Sequence, residues 1–270
     1  MDKITSVNNQ LVKDVHSLKQ KKYRTQSGTF LVEGLRAVEE ALRYGSVDRL
    51  FVTEDEESRC GDLLNLAASE SVETFLVDSK VMGKLADTKN PQGIAATVRM
   101  PDNSLDSLLH SPAGNEDNLA PVVVLDRIQD PGNMGTIIRT ADASGALGVV
   151  VLEGCVDVYS PKVVRASMGS LFHLPVISDC TPEEMLTWCC REGYLPAAAC
   201  LDGASSLYRT DLCRKVAFIL GNEANGVSPE LQQAAELKLL IPMPGLAESM
   251  NVAMAGGVIL YESLRQRRKL

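Results

Sequence analysis

The sequence predicts an α/β protein built from two modules, the second organised around a parallel sheet. Three observations carry this prediction. The 270 residues exceed what one small core needs, at about 100–200 residues per domain. Strand-like apolar runs alternate with helix-like stretches along most of the chain, the order of an α/β module. Beyond Val122 the runs become almost continuously apolar, as strands do when both faces of a parallel sheet are covered.

Taken in order, residues 4–20 are predicted to form an amphipathic helix, because Val7, Leu11, Val15 and Leu18 recur at spacings of three and four. TFLVEG (29–34) reads as a strand leading into the helix LRAVEEALRYG, with Gly45 as its C-cap. RLFVT (49–53), ETFLVD (73–78) and GIAATVRM (93–100) are further strands, giving a first domain over residues 1–100. Residues 101–120 are rich in Pro, Asn, Asp, Ser and Gly and read as a linker. Residues 121–270 then supply VVVLD, a glycine loop, TIIRTADASG, GVVVL, LPAAACL, VAFIL and LKLLIPM.

The apolar fraction of 45% and charged fraction of 23% are those of an ordinary globular protein. No apolar run approaches the roughly 20 residues that span a bilayer. The opening MDKITSVNNQ lacks the apolar core of a secretory signal, so a cytoplasmic protein with no membrane partner is expected. Seven cysteines without a C-x-x-C pair read as buried free thiols of a reducing compartment. Three singly scattered histidines give no zinc pattern, and no metal is expected. A net charge of −8 argues against nucleic acid at first sight. However, Lys13, Lys19, Lys21, Lys22 and Arg24 crowd one segment, and Arg265, Arg267, Arg268 and Lys269 another. Screening confines a charge's field to about 10 Å, so local basic patches can bind phosphate on an acidic protein; solvated helix ends are the competing reading.

Three glycine-containing loops follow strands in the second domain. DPGNMG (130–135) precedes a helix expected from about Thr136, a place where backbone N–H groups favour an anion. A dinucleotide turn is its rival, supported by Glu153 at the end of the next strand but lacking the G-x-G-x-x-G spacing. GNEANGVSPEL (221–231) follows VAFIL, with Ser228 and Pro229 reading as cap and first helical residue. Glu223 beside a buried strand end needs a partner, and a structural ion pair is the plain alternative. IPMPGLAESMNVAMAGG (241–257) precedes the last helix, with Ser249 as a cap and Asn251 in the first turn. Gly256 and Gly257, in mid-helix, suggest close approach by another backbone, within the chain or from a partner.

N-x-G-x-x-x-R, then G-N-E-x-x-G, then I-P-M-x-G-x-x-E-S-x-N-V, in this order, resembles the signature of the SpoU (TrmH-like) family of RNA ribose 2′-O-methyltransferases in the SPOUT superfamily. The stretch from Ile4 to Gly34 resembles the RNA substrate-binding domain that precedes the catalytic domain in many members. The resemblance implies a C-terminal parallel-sheet SPOUT domain with a deep trefoil knot. A smaller α/β (ribosomal-protein-L30e-like) domain would precede it. It also implies a homodimer that joins through the catalytic domain and uses S-adenosyl-L-methionine without metal.

Carried onto this chain, the resemblance assigns cofactor contacts to Gly221, Ile241, Met243 and Met250. Catalysis and nucleotide positioning fall to Asn133, Arg139, Glu223, Ser249 and Asn251. Lys21, Lys22, Arg24, Lys162 and Arg165 are expected to reach RNA phosphate, with VVRASMGS (163–170) matching a family stretch between motifs. Met250 stands where leucine is usual, Ala253 where serine is usual, and Met134 where leucine is common. The methionines conserve volume; Ala253 removes a hydroxyl near the site. The expected reaction is methyl transfer to a ribose hydroxyl of structured RNA, with 23S ribosomal RNA favoured and tRNA as the alternative. A nicotinamide-dependent dehydrogenase leaves the second and third motifs unexplained. A non-catalytic RNA-binding protein would not need Asn133, Arg139, Glu223 and Asn251 together.

Overall fold

The computed structural model describes residues 1–111, 113–114, 117–201 and 204–269. Residues 112, 115 and 116 of the expected linker, and 202, 203 and 270 of the expected catalytic domain, lie outside the described residues. Two compact units emerge: Met1–Asp102 with Tyr159–Phe172, and Asn103–Val158 with His173–Leu270.

The first unit begins with β1 (Asp2–Ile4), α1 (Gln10–Ser17), α2 (Lys21–Ser27), β2 (Thr29–Glu33) and α3 (Leu35–Tyr44). It continues through β3 (Val47–Thr53), α4 (Gly61–Ser69), β4 (Glu73–Val77), α5 (Ser79–Leu85) and β5 (Ile94–Arg99). The strands form one mixed sheet, ordered β1-β4-β3-β5-β2, with β5 antiparallel to both neighbours. The long helix expected over residues 4–20 is not formed. Residues 2–4 pair with β4 instead, and Asn9 starts α1 by accepting the Leu11 N–H at 2.8 Å. Sheet pairing satisfies backbone groups that the helical period alone would have assigned differently. Val12 and Val15 then turn inward with Phe51, Phe75 and Met82 to form this unit's core. Gly45 closes α3 through its N–H to Ala41, in an extended rather than left-handed conformation.

The second unit opens with a short 3₁₀ helix, Leu105–His110, inside the stretch read as linker. Its Leu108 is fully buried in the core, worth about 2 kcal/mol for a leucine side chain. Then come β6 (Val122–Leu125), α6 (Pro131–Ala143) and β7 (Gly148–Leu152). The chain next spends Tyr159–Phe172 in the first unit, where Pro161–Ser167 is helix α7. It returns for β8 (Val176–Cys180), α8 (Pro182–Glu192), β9 (Leu195–Ala199), β10 (Ser205–Ser206) and β11 (Val216–Leu220). The last elements are α9 (Pro229–Ala234), β12 (Leu237–Leu240) and α10 (Val252–Arg268).

These seven strands form an all-parallel sheet ordered β10-β12-β9-β11-β6-β7-β8. Every residue of β6, β7 and β11 is buried, so the continuous apolar runs reported the sheet type correctly. The chain runs from β6 to β7 and β8 on one side and from β11 to β12 on the other, so the crevice between the ends of β6 and β11 is a topological switch point. Ligands in open α/β sheets bind at such a crevice, beyond the carboxyl ends of the strands.

No helix among the described residues is long and apolar enough to cross a membrane. Of the cysteines, Cys60, Cys180 and Cys189 are buried, whereas Cys190 and Cys213 are exposed, so the expectation of buried thiols holds only in part.

Candidate active site

The loops leaving β6 and β11 are stitched together by residues whose roles are not evident from sequence. Asp126, buried at the end of β6, accepts the Ser228 N–H at 2.6 Å and pairs with Arg127 at 2.9 Å. Arg127 adopts a left-handed conformation, φ 56°. Its carbonyl accepts from the Asn222 side chain at 2.9 Å, and its guanidinium donates to the Gly226 carbonyl at 3.4 Å. Asn222 also accepts the amides of Ala224 and Asn225, which shapes the turn. Gly221 begins this loop because nothing larger fits: a Cβ there would lie 2.0 Å from the Val227 nitrogen and 2.1 Å from the Gly226 carbonyl carbon.

Helix α6 starts at Pro131, a turn earlier than the glycines suggested, because Asp130 caps it by accepting the Asn133 N–H at 2.8 Å. Asn133 and Arg139 therefore both ride on this helix. Glu223 accepts the backbone N–H of Asp130 at 3.0 Å, that of Gln129 at 3.2 Å, and the Asn133 side chain at 3.0 Å. Burial, though slight, pushes its carboxyl up, but the hydrogen bonds from Asn133, Asp130, Gln129 and its own backbone outweigh this and hold it below its ordinary value. Asn251 in turn donates to the Asn133 oxygen at 2.8 Å.

The orientation of this relay is fixed at both ends. Asn251, not Ser249, caps α10, its side-chain oxygen taking the N–H groups of Ala253 and Met254. Its NH₂ must then face Asn133, whose own NH₂ must face a carboxylate that can only accept. The first turn of α6, the loop after β11 and the cap of α10, all distant in sequence, are locked by one chain of side-chain hydrogen bonds.

A cavity of about 570 Å³ opens beside the relay, between the loops that follow β11 and β12. Gly221, Ile241, Met243 and Met250, the four expected cofactor residues, all line it, as do Glu223, Ser249 and Asn251. Asn133 and Arg139 do not. The volume is typical of small-molecule sites. Apolar walls from Leu220, Leu239 and Ile241, with backbone groups of the 221–226 turn, suit a nucleoside carrying a polar tail. The close approach at Gly221 brings that turn's backbone to the cavity wall. Among the described residues, no group of His, Cys, Asp or Glu side chains could hold a metal ion.

The remaining expected site residues separate. Arg139 is exposed on α6, and no hydrogen bond or ion pair ties it to another described residue. Lys21, Lys22 and Lys162 are exposed, with the Lys22 ammonium 5.9 Å from the Tyr23 ring centre. Arg24 is instead 3% exposed, and donates to the Leu18 carbonyl at 2.6 Å. A guanidinium so enclosed cannot reach phosphate. Arg165 is paired with Glu33 at 2.8 Å and Asp87 at 2.9 Å, so its charge is already met by two carboxylates. Gly256 lies against the Leu220 side chain, 2.8 Å from a hypothetical Cβ, while Gly257 has ordinary room beside Thr140. The close approach expected there is a side chain of the same unit rather than a backbone. Helix α10 packs on α6 through this face.

An all-parallel sheet with a cavity at the carboxyl ends of β9, β11 and β12, beside loops cross-linked through asparagine and glutamate, defines a ligand-binding α/β protein. Comparison with known proteins makes the class specific. Residues 120–261 match the SpoU rRNA Methylase family, and residues 9–96 match the MRM3-like substrate binding domain. The chain belongs to the SpoU rRNA methylase family. It is 34% identical over 264 residues to the 23S rRNA (guanosine(2553)-2'-O)-methyltransferase RlmP of Bacillus subtilis, covering 97% of this chain and 98% of that one. Among solved structures, the AdoMet-bound rRNA methyltransferase from Sinorhizobium meliloti superposes with a TM-score of 0.85 at 31% identity, covering 100% of this chain and 98% of that one. The SpoU methyltransferase AviRb from Streptomyces viridochromogenes, in complex with AdoMet, gives 0.85 at 30% identity, covering 97% and 100%.

Proposed function

We propose that the protein transfers the methyl group of S-adenosylmethionine to a ribose 2′-hydroxyl of structured RNA, with 23S ribosomal RNA as the substrate. The observation that carries this reading is the Glu223–Asn133–Asn251 relay beside a cavity lined by all four expected cofactor residues. The family relatives supply the reaction class, and those whose names specify 23S rRNA favour that target. The match to an MRM3-like substrate binding domain supports recognition of an RNA substrate. Transfer RNA remains the second reading.

When bound, the sulfonium supplies an activated methyl group. The protein's own task is to hold a ribose hydroxyl in line with it and to ease loss of the hydroxyl proton. Arg139, exposed and without a partner among the described residues, is available to clamp the ribose and its phosphate. With a pKa above about 12, a guanidinium serves that role better than the role of base. Glu223 and Asn133 hold the start of α6, and so the helix that carries Arg139. Ser249 and Asn251 close the cavity at the other side. Lys21, Lys22 and Lys162 are the phosphate contacts of this reading.

The knotted path of the catalytic domain and its homodimer belong to the same proposal. The second is supported by Met254 and Tyr261 on α10, which are 61% and 51% exposed, and by exposed Leu246 and Met250 before it. Two apolar side chains seven residues apart lie on one helix face.

The test is transfer of labelled methyl from S-adenosylmethionine to total bacterial RNA separated by size, with Arg139→Ala alongside. Label in a large ribosomal RNA, alkali-resistant as a 2′-O-methyl dinucleotide, is expected for the native chain. In Arg139→Ala turnover falls at least about 100-fold while S-adenosylmethionine affinity stays within about twofold. Undiminished turnover in the variant would overturn the role of Arg139. Label confined to tRNA would replace the ribosomal target with the second reading.

A further inference from the structure

We propose that Arg127 is a positioning residue for the methyl donor: its guanidinium fixes the 221–227 turn that walls the cofactor cavity. The choice of S-adenosylmethionine as ligand rests on the function proposed above; the fixing of the turn does not.

Every residue from Gly221 to Val227 lines the cavity, whereas Arg127 does not. The backbone at Arg127 is left-handed, φ 56°. Glycine adopts that conformation freely, and an L side chain does so at a cost in free energy. An arginine persists there where contacts offset the strain. Its Nε and Nη2 donate to the two oxygens of Asp126, at 2.9 and 3.3 Å, and Nη2 donates also to the Gly226 carbonyl at 3.4 Å. Asp126 is 4% exposed. Its Oδ2 accepts the Ser228 N–H at 2.6 Å, and its Oδ1 accepts, among the described residues, from Arg127 alone.

The turn has other ties. The Asn222 side chain donates to the Arg127 carbonyl at 2.9 Å, and the Gly226 N–H to the Asn222 carbonyl at 2.8 Å. The Gln232 side chain donates to the Val227 carbonyl at 2.8 Å, and Glu223 accepts from Gln129, Asp130 and Asn133. None of these uses the guanidinium, so a substitution at Arg127 leaves their donors and acceptors in place. What the guanidinium adds is the link from Asp126 to the far limb of the turn. Without it, Asp126 is enclosed with one oxygen unmet and no counter-charge, the costly way to break such a pair. Asp126 is then expected to turn toward water and loosen its hold on Ser228. The two limbs have no slack between them, since a Cβ on Gly221 would lie 2.0 Å from the Val227 nitrogen. A shift at residues 226–228 therefore carries to Gly221 and to the cavity wall.

A guanidinium that served the fold alone would change stability and donor affinity together. Glycine separates the two. Arg127→Gly and Arg127→Ala both remove the guanidinium and keep the carbonyl that Asn222 uses, but only glycine is also released from the strained φ.

The experiment compares the full native chain with these two variants. Arg127→Gly is expected to melt higher than Arg127→Ala, yet both are expected to bind S-adenosylmethionine about tenfold more weakly in calorimetry. In turnover, KM for the methyl donor rises about tenfold while kcat at saturating donor stays within about twofold. Hydrogen exchange without ligand is expected to quicken about tenfold at residues 224–228 in both variants and to stay unchanged in β7. Affinity that follows Tm, native-like in Arg127→Gly and weak only in Arg127→Ala, would overturn the proposal in favour of a purely structural role. Native-like affinity in both variants would overturn it too, as would a lowered kcat at unchanged KM. If the native chain binds no S-adenosylmethionine, the proposed function fails, and exchange at residues 224–228 still decides whether Arg127 fixes the turn.

Discussion

The two units treat their charged and polar side chains in opposite ways. In the second, side chains from three separate segments converge: Glu223 and Asn251 both bind Asn133 beside a cavity. In the first, cationic side chains divide between surface and interior. Lys22 stands in solvent, whereas Arg24 is sealed against the end of α1 and Arg165 is neutralised by two carboxylates. Hydrogen-bonding residues next to buried strand ends must find partners or pay a desolvation cost, so their position in sequence reports their role. A cluster of lysines and arginines has no such constraint, and its members can be read as a patch only after each has been placed.

The sharpest way to break this contrast is Gly221→Ala. The added methyl meets backbone atoms at 2.0 and 2.1 Å, which no side-chain movement relieves. A loss of about 3 kcal/mol is expected, with Tm lower by roughly 6–12 °C. S-adenosylmethionine binding should disappear in calorimetry. Full affinity in the alanine variant would mean that the 221–227 turn is not what shapes the cavity.

A paired substitution in the first unit comes next. Arg24→Ala is expected to cost about 1–3 kcal/mol by chemical denaturation, because the Leu18 carbonyl loses its donor. Lys22→Ala should leave stability unchanged and lower the salt slope of RNA binding by about one. Interchanged outcomes would reverse the assignment of interior and surface.

The smallest effect concerns acid. Glu223 is held below its ordinary value in the folded state, so it contributes stability above the unfolded carboxylate pKa of about 4.3, and this is lost as the pH falls through the folded value. Native protein and Glu223→Gln should differ most in urea midpoint at neutral pH and converge at low pH. Solvent around the exposed carboxylate keeps the difference small. A gap that widens on acidification would contradict the hydrogen-bonded carboxylate.

Much of the catalytic half was legible because its strands are apolar on both faces and its motif residues sit where those strands end. Asn133, Glu223 and Asn251 all stand in motifs that follow strands, although the pattern points to Ser249 as the cap of α10 where the structure uses Asn251. What stayed hidden depends on long-range partners. Asp126 and Arg127 look like an ordinary strand end until Ser228 and Gly226 are placed against them. The opening strand Asp2–Ile4 is only three residues long and acquires its identity from β4, some 70 positions away. Leu108 lies in a stretch whose composition signals a linker, yet it is fully buried. Arg165 gives no local sign that its partners are Glu33 and Asp87.

The relay also sets an order of assembly. Its hydrogen bonds span 90 residues between Asn133 and Glu223, and 118 between Asn133 and Asn251, and such distant closures come late in folding. During synthesis, β6 and α6 leave the ribosome long before β11 and the cap of α10. A nascent chain that stops short of Asn251 has the helix bearing Arg139 but not the amide that fixes Asn133. The locked arrangement of the three polar side chains therefore forms only after Asn251 has been made, however early the helix bearing Arg139 is in place.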